Sequence, residues 1–543
     1  MPTWRTFAIS CVALLSIGFG AVCLGQEQYK RISRDAVAQI VDGNHDDAIG
    51  TCQEYLQAHP DDIESLYVLA VAHTQKGQIE EALFYAKKAI AAGLPFERFQ
   101  AGPRELLQPL TKSDKFKALA QEYGREILHG PMISVTDRQA RCWLRTAGAT
   151  QVGWRLYAVG QGNGPTTFRK AGLGETNSKN DFTAVLSLTG LKPATLYEYR
   201  LGTSGDDAES VARFRTSPER GKPATFAIGF GGGAGYTPPH ERMWDTVRSR
   251  NLTAFLFLGD NVYIDNPTRQ AVQRYCYYRR QSRPEFRKFV AGTPIYAIWD
   301  DHDFTTDDGW GGPDIHEPAW KLPVWRTFQN NWANPYYGGG PTQPGCWFDF
   351  SLADVDFFML DGRYYRVEGR RQGLEVENPS MLGQAQKRWL FEKLGESKAT
   401  FKVLVSPVPW ASGAKPGKAG MDTWEGFHEE REEIFSFLAR HRIEGVLLLS
   451  ADRHRSDAWK IERENGYPLY EFESSRLTNI HKHGIMPGSL FGYNKTCSFG
   501  LLAFDTTLVD PEVTYKVVTI DNEVVHTLTV RKSQLTHAEN AGN

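Results

Sequence analysis

The chain has 543 residues, enough for several domains that each bury a core. Its 62 basic and 64 acidic residues nearly cancel, so the charge balance gives no support to a nucleic-acid polymer as an obligate partner. Fourteen Trp and 22 Tyr exclude a disordered chain.

The first 25 residues read as a targeting segment. Arg5 supplies the positive charge, Phe7 to Cys23 is apolar, and Cys23-Leu24-Gly25 precedes a cut at Gln26. The run is short and glycine-broken for a stable membrane span. The expected product is therefore exported, either secreted or kept in the periplasm or cell envelope. Cys52, Cys142, Cys276, Cys346 and Cys497 remain after the cut. They are odd in number and scattered, which predicts neither a disulfide framework nor a CxxC zinc site.

Residues 26–130 carry a helical pattern. Gly43-x4-Ala48 recurs as Gly77-x4-Ala82, a period of 34 residues, with Pro60 and Pro95 near the repeat ends. Small residues at these points would let antiparallel helices pack closely, and the segment resembles tetratricopeptide repeats. Two roles stay open: a surface for a protein partner, or a helical spacer and packing cap. None of the ligands proposed below lies here, so deleting the segment is expected to spare activity.

From 131 to 218 the period changes to two. Arg141-Cys-Trp-Leu-Arg and Gly153-Trp-Arg-Leu-Tyr alternate as strands, separated by Gly/Asn/Thr clusters. Leu188 to Tyr199 resembles the tyrosine-corner region of fibronectin type III and immunoglobulin-like β-sandwiches, with Tyr197 as the corner residue. A structural role is expected.

Residues 219–535 carry the chemistry, and 536–543 form a polar tail. Short apolar runs repeatedly end in oxygen or imidazole donors. Phe255-Leu-Phe-Leu-Gly leads to Asp260-Asn261-Val-Tyr263. Thr293 to Trp299 leads to Asp300-Asp301-His302-Asp303. Asp354 to Leu360 leads to Asp361-Gly-Arg363-Tyr364-Tyr365. Phe401 to Val405 leads to Ser406-Pro-Val-Pro-Trp410, and Gly445 to Leu449 leads to Ser450-Ala-Asp452-Arg453-His454. Open α/β sheets place ligands at such strand exits. Asp260, Asp301 and Asp452 are hard anionic donors, Tyr263 offers a phenolate, and His302 and His454 add imidazole. Carboxylates favour Ca²⁺, Mg²⁺ or Mn²⁺, while phenolate and imidazole admit Fe³⁺ or Zn²⁺. Two ions bridged by one carboxylate can bind a phosphate and acidify a water. Arg363 is the candidate bidentate phosphate clamp, with Asn261 and Tyr364 as further substrate contacts. Tyr275 to Arg280 reads as a substrate wall or a solvated helix face, and the Trp310 and Trp347 loops as a lid or rim.

These ordered motifs, over roughly 225–480, resemble the PhoD-like alkaline phosphatases of the calcineurin-like metallophosphoesterase superfamily. The resemblance implies an α/β/β/α four-layer sandwich preceded by an immunoglobulin-like domain, with the helical segment as an addition. It implies hydrolysis of phosphate monoesters or diesters by attack of a metal-bound hydroxide. The cofactors would be two metal ions, Ca²⁺ with Fe³⁺ or another divalent ion (Mn²⁺, Mg²⁺ or Zn²⁺). Asp260 would bridge the metals, with Tyr263, Asp301, Asp452 and His454 as ligands and Arg363 on the phosphate. His302 would serve the leaving group. One departure stands out. The family ends its first site strand in Gly-Ser-Cys, whose thiolate binds iron, whereas this chain has Gly229-Phe-Gly-Gly-Gly233. The missing thiolate weakens the case for iron, and Gly231 or Gly233 marks the place where a Cys would restore it. His240 is the nearest alternative donor. The departure also admits a second reading, a phosphatase-fold scaffold without turnover that binds partners through its helices.

Overall fold

The computed structural model describes residues 31–160, 164–203, 208–368 and 379–538. The targeting segment read at 1–25 lies outside these residues. Among the described residues no helix is long and apolar enough to cross a membrane. The five cysteines named above are all free and buried.

A helix over 31–41 is followed by helices His45–Ala58, Ile63–Gln75 and Ile79–Ala91, then by Glu97–Ala101, Arg104–Thr111 and Asp114–Tyr123. Asp62 starts the Ile63–Gln75 helix by accepting from Ser65 N at 2.8 Å. That helix is buried along most of its length because neighbours cover several of its faces. Ala48 and Ala82 sit fully buried where the helices meet. Gly43 and Gly77 act differently from the close-packing role expected of them. Their φ values are 85° and 74°, and nothing lies within 4 Å of an added Cβ at either. They are needed for left-handed turns between helices, not for proximity.

The next region forms two antiparallel sheets, the first strand starting at Ile127. One sheet has the order β1 (Ile127–Val135), β2 (Gln139–Thr146), β5 (Thr183–Thr189). The other has the order β4 (Gly164–Glu175), β3 (Gln151–Gly160), β6 (Leu196–Gly202), β7 (Ser210–Arg215). Alternating residues of both, Cys142 and Leu144 from one and Leu156, Tyr199 and Phe214 from the other, share one core. Tyr197 Oη accepts from Lys192 N at 2.9 Å and ties down the loop before β6.

The remaining chain builds two larger sheets. In the first, β8 (Thr225–Gly231), β9 (Ala254–Leu258) and β10 (Ile295–Ile298) run parallel, and β18 (Ser498–Asp505), β19 (Glu512–Thr519) and β20 (Val524–Arg531) extend it antiparallel from β8. In the second, β12 (Val355–Met359), β13 (Phe401–Val405), β14 (Val446–Ser450) and β16 (Leu469–Ser474) run parallel. Antiparallel β11 (Phe348–Leu352) closes one edge, and β15 (Ser456–Ile461) and β17 (Phe491–Tyr493) the other. The parallel strands β9, β13 and β14 are mostly apolar, as strands buried on both faces must be, with Lys402 and the terminal Ser450 the polar members. Aromatic rings join the inner faces: Tyr296 stacks on Phe350 at 3.8 Å and Phe472 on Tyr515 at 4.5 Å. Outer faces carry helices, through Trp244 on Phe257 and Trp389 on Phe358. Gly232 N donates to Ser474 O at 3.0 Å, so the exits of β8 and β16, one from each sheet, come together.

The helix Gln270–Gln281 corrects both readings of Tyr275 to Arg280. It is a buried seam, neither a substrate wall nor a solvated face. Tyr275 Oη donates to Glu64 Oε2 at 2.6 Å, Arg98 lies 4.9 Å over the Tyr275 ring, and Arg279 donates to Ser33 Oγ at 3.0 Å. Trp347 is likewise buried, not part of a rim. The helical segment is thus fastened to the 219–535 region through an interface of buried rings, hydrogen bonds and paired charges, all of which lose their partners when the segment is removed. Deleting residues 26–123 is therefore expected to lower the thermal midpoint by about 10 °C or more, or to abolish soluble expression. An unchanged melting curve for the truncated protein would contradict this account of the seam.

Candidate active site

The site begins where β9 ends. Gly259 has φ 103°, and an added Cβ would stand 2.8 Å from Asp300 N, so only glycine lets the exits of β9 and β10 approach. Asp260 and Tyr263 both occupy the left-handed region, at φ 54° and 52°. Such backbone persists only when its surroundings hold it. Here Asp303 does so: its carboxylate accepts from Asn261 N at 2.8 Å and Val262 N at 3.0 Å. Burial pushes the Asp303 carboxyl up to about 6, against the pull of those backbone donors.

The turn brings Asp260, Tyr263 and His454 into one group. Tyr263 Oη donates to Asp260 Oδ2 at 2.8 Å and lies 2.9 Å from His454 Nε2. Asn479 Nδ2 donates to Tyr263 Oη at 2.7 Å and lies 3.3 Å from His454 Nε2. Asp260, Asp301 and His302 offer ligand atoms within 4.8 Å of one another, as do Asp301, Asp307 and Asp308, and His454, His481 and His483. Asp260, Asp301, His302, Asp452 and His454 line a cavity of about 700 Å³.

The electrostatics suit a cation. Asp260 Oδ1 and Asp300 Oδ2 are buried and accept no hydrogen bond among the described residues. Burial, then the neighbouring charges of Asp301 and Asp300, pushes the Asp260 carboxyl well above its usual range. Burial, reinforced by Asp260, raises the Tyr263 phenol too. Burial would lower the His302 pKa, but the charges of Asp301 and Asp260 and the bond from its Nδ1 to Asp265 Oδ1 at 2.5 Å hold it well above the ordinary value. Burial would raise Asp452, yet Lys415 and Arg453 keep it below the ordinary carboxylate value. Every converging donor is oxygen or imidazole nitrogen, a set that fits Ca²⁺, Mn²⁺, Mg²⁺ or Zn²⁺.

Three expected substrate contacts lie elsewhere. Arg363 is fully buried: Nε donates to Asp300 Oδ1 at 2.5 Å, and its two terminal nitrogens donate to Asp422 at 2.7 and 3.1 Å. Its fork is saturated by carboxylates, so it holds Asp300 and Asp422 in place and does not face the cavity as a phosphate clamp. Tyr364 is buried with its hydroxyl on Ile315 O at 2.8 Å. Asn261 donates its Nδ2 to Ile298 O and Asp303, and its buried Oδ1 has no hydrogen-bond donor among the described residues. Both serve the loops behind the site. His240 does not replace the missing donor either, as its Nδ1 lies 3.1 Å from Thr478 O, away from the cavity lining.

The structure explains the glycine run and corrects the suggested Cys positions. A Cβ on Gly233 would stand 2.0 Å from Ser475 O, and one on Gly231 would meet Leu477 at 3.0 Å. The segment 474–479 lies directly across the exit of β8: its backbone excludes a side chain at Gly233, while at Gly231 a side chain would press on the movable end of Leu477. Asn479 from that segment reaches Tyr263 and His454 instead. Sequence reading also missed Asp265, Lys415, Asp422, Arg453, His481 and His483. His481-Lys-His483 offered a visible His-x-His signal, and Arg453 stood inside a quoted motif. Lys415 precedes and Asp422 ends the short 3-10 helix Gly417–Asp422, with no pattern to betray them. Lys415 reaches Asp308, Asp422 and Asp452 at 3.1, 3.2 and 3.3 Å.

This geometry agrees with comparisons to known proteins. Residues 228–490 match the model of the PhoD-like phosphatase family. The match takes in the Asp260, Asp301 and Asp452 strand exits and just under half of the chain. Alkaline phosphatase D of Bacillus subtilis (strain 168) is 24% identical over 312 residues, which cover 49% of this chain and 52% of that protein. The chain thus matches about half the length of this curated relative. The solved structure of PhoD superposes with a TM-score of 0.62 at 17% identity, covering 76% of this chain and 92% of that one. A purple acid phosphatase from yellow lupin (Lupinus luteus) seeds gives 0.53 at 11% identity, covering 77% and 78%. Both structures share the fold with this chain. The PhoD-like phosphatase family is supported by all three kinds of comparison.

A buried carboxyl whose pKa is raised on folding, such as Asp260, stabilises the protein less as pH climbs from its unfolded value near 4 through its folded one. A bound cation relieves that loss. The rise in thermal midpoint on adding Mn²⁺ or Ca²⁺ to chelator-treated protein is therefore expected to be clearly larger at pH 8 than at pH 5. Equal rises at both pH values would contradict the cation-binding role of these carboxyls.

Proposed function

We propose that the chain is an exported, metal-dependent phosphoesterase that hydrolyses phosphate monoesters or diesters. The observation that carries this reading is the set of buried carboxylate oxygens without hydrogen-bond donors on Asp260 and Asp300, beside Tyr263, His454, Asp301 and Asp452, in a region matching PhoD-like phosphatases. Asp260, Tyr263, Asp301, Asp452 and His454 would hold the ions, with Asn479 beside Tyr263 and His454. Bound cations would neutralise phosphate charge and lower the pKa of a water.

The chain's own residues do the rest. His302 lines the cavity with Nδ1 tied to Asp265 and Nε2 3.6 Å from Asp307 Oδ1, which leaves Nε2 as the nitrogen to stabilise or protonate a leaving oxygen. Arg453 takes over the phosphate-binding role first assigned to Arg363. It lines the cavity between Asp452 and His454, and its terminal nitrogen stands 3.9 Å from Asp452, its nearest carboxylate. A guanidinium with donors to spare beside a cation site is suited to phosphate oxygens. Lys415 balances Asp308, Asp422 and Asp452 and keeps those anions together. The leader-like residues 1–25 support export. The 26–130 segment is read as a tetratricopeptide-like cap and 131–218 as an immunoglobulin-like sandwich, with 219–535 as the catalytic domain. A scaffold without turnover, acting through its helices, has less support, since the site keeps a full oxygen and nitrogen donor set without the cysteine.

The reading is tested with chromogenic monoesters and diesters on protein reloaded with Ca²⁺, Mn²⁺, Mg²⁺ or Zn²⁺. Hydrolysis should appear with metal and vanish with chelator; none with any metal would favour the scaffold. Replacing Arg453 by Met should raise both KM and the inhibition constant of inorganic phosphate about tenfold or more, the worth of a charge-assisted hydrogen bond. Metal content should stay the same. Phosphate inhibition equal to that of the unaltered protein would remove Arg453 from the substrate site.

A further inference from the structure

The helix over 31–41 lies outside the region matching PhoD-like phosphatases, yet it forms one wall of the catalytic cavity through Ile32, Asp35, Ala36 and Gln39. Its Arg34 is almost completely buried and points into the turn that follows β9. One terminal nitrogen forms an ion pair with Asp265 Oδ2 and donates to Tyr263 O at 3.3 Å. The other carboxylate oxygen of Asp265 holds His302 Nδ1. His302 in turn lies over the Tyr263 ring, with centroids 4.6 Å apart. Ser33, the neighbour of Arg34, is anchored by Arg279, so the helix is fixed against the seam.

We propose that Arg34 is a positioning residue of the active site, acting through Asp265 to set the orientation in which His302 meets the leaving group. The inference rests on the phosphoesterase reading and extends it to a segment that the family match does not cover. The physical argument is one of constraint. Asp265 carries two oxygens and must choose a rotamer, and its backbone sits at φ 52° in a turn of several left-handed residues. A carboxylate bonded to His302 alone can swing about its own side-chain torsions and carry the imidazole with it. Arg34 grips the second oxygen and the Tyr263 carbonyl at once, which fixes the carboxylate plane from behind. The helical segment is then part of the catalytic apparatus as well as a cap.

The test separates positioning from general structure by comparing leaving groups. The kcat and KM of the full chain, metal-loaded, are measured on 4-nitrophenyl phosphate and on glycerol 2-phosphate. The aryl leaving group departs with little help, while the alkoxide needs His302. Arg34→Met, which keeps the aliphatic packing, should lower kcat on the alkyl ester about tenfold to a hundredfold, in the range of a misplaced catalytic group. It should leave the aryl ester within about threefold, with KM and metal content little changed. Arg34→Lys should recover part of the loss. Asp265→Asn should show the same split, and Arg34→Met added to Asp265→Asn should cost nothing further. Equal losses on both esters, or additive effects in the double variant, would overturn the proposal while leaving the phosphoesterase reading intact. If the unaltered protein hydrolyses only diesters, the same aryl-against-alkyl comparison is made on diesters; if it hydrolyses no ester of either kind, the phosphoesterase reading falls and this proposal with it.

Discussion

Asp260, Asp300, Asp301 and Asp422 are buried, and half-buried Asp452 lies beside them, and their mutual repulsion is the constraint on which the rest of the structure depends. Buried anions this close together persist only when cations or protons balance them. Arg363, Arg366 and Lys415 supply part of the balance from behind: Arg363 joins Asp300 to Asp422, Arg366 adds to Asp422 at 2.8 Å, and Lys415 joins Asp422 to Asp452. The cations are themselves buried and spent on these contacts. Asp260 is left with an oxygen that no donor reaches and a carboxyl pushed toward its neutral form. The site is therefore built to accept positive charge from outside the chain, and a phosphate ester is the kind of substrate such charge attracts.

The same constraint explains the surrounding backbone. Packing carboxylates at adjacent strand exits requires the loops to turn within one or two residues. The chain does this with left-handed residues at Asp260, Tyr263, Asp265 and Asp452, none of them glycine. Asp303 holds the first turn by its backbone bonds, and the helix over 31–41 holds its far end through Arg34. The exit of β8 takes another course. There the 474–479 segment crosses so closely that Gly233 is required, and Asn479 from that segment reaches into the site. The glycine at the exit of β8 and the amide drawn from the later loop belong to one packing arrangement.

Much of this was legible in the sequence because it is local. Apolar runs of about five residues ending in Asp or Asp-x-His predicted β9, β10 and β14 closely, and the residues after them, Asp260, Asp301, His302, Asp452 and His454, line one cavity. The strand Phe401–Val405 was expected with the limits it has. What the sequence hid is partnership over long separations. Nothing near Arg363 shows that Asp300 and Asp422 will occupy it, so an arginine after a strand looked free to bind phosphate. Nothing near Arg34 points to Asp265, 231 residues away. The arginines and tyrosines of 275–280 looked like a polar face because their partners, Glu64, Ser33 and Arg98, belong to helices read as a separate unit. Gly43 and Gly77 were given a packing role because the repeat pattern does not record the sign of φ.

The account stands on the claim that Asp260 and its neighbours hold two cations. The most direct measurement is the metal content per chain, by mass spectrometry of protein equilibrated with Mn²⁺ or Ca²⁺ and freed of excess ion, for the unaltered chain and for Asp260→Asn. Two equivalents in the unaltered chain, and at most one in the variant with its fold retained, are the predicted result. No retained metal in the folded, unaltered chain, or an unchanged two equivalents in Asp260→Asn, would contradict it.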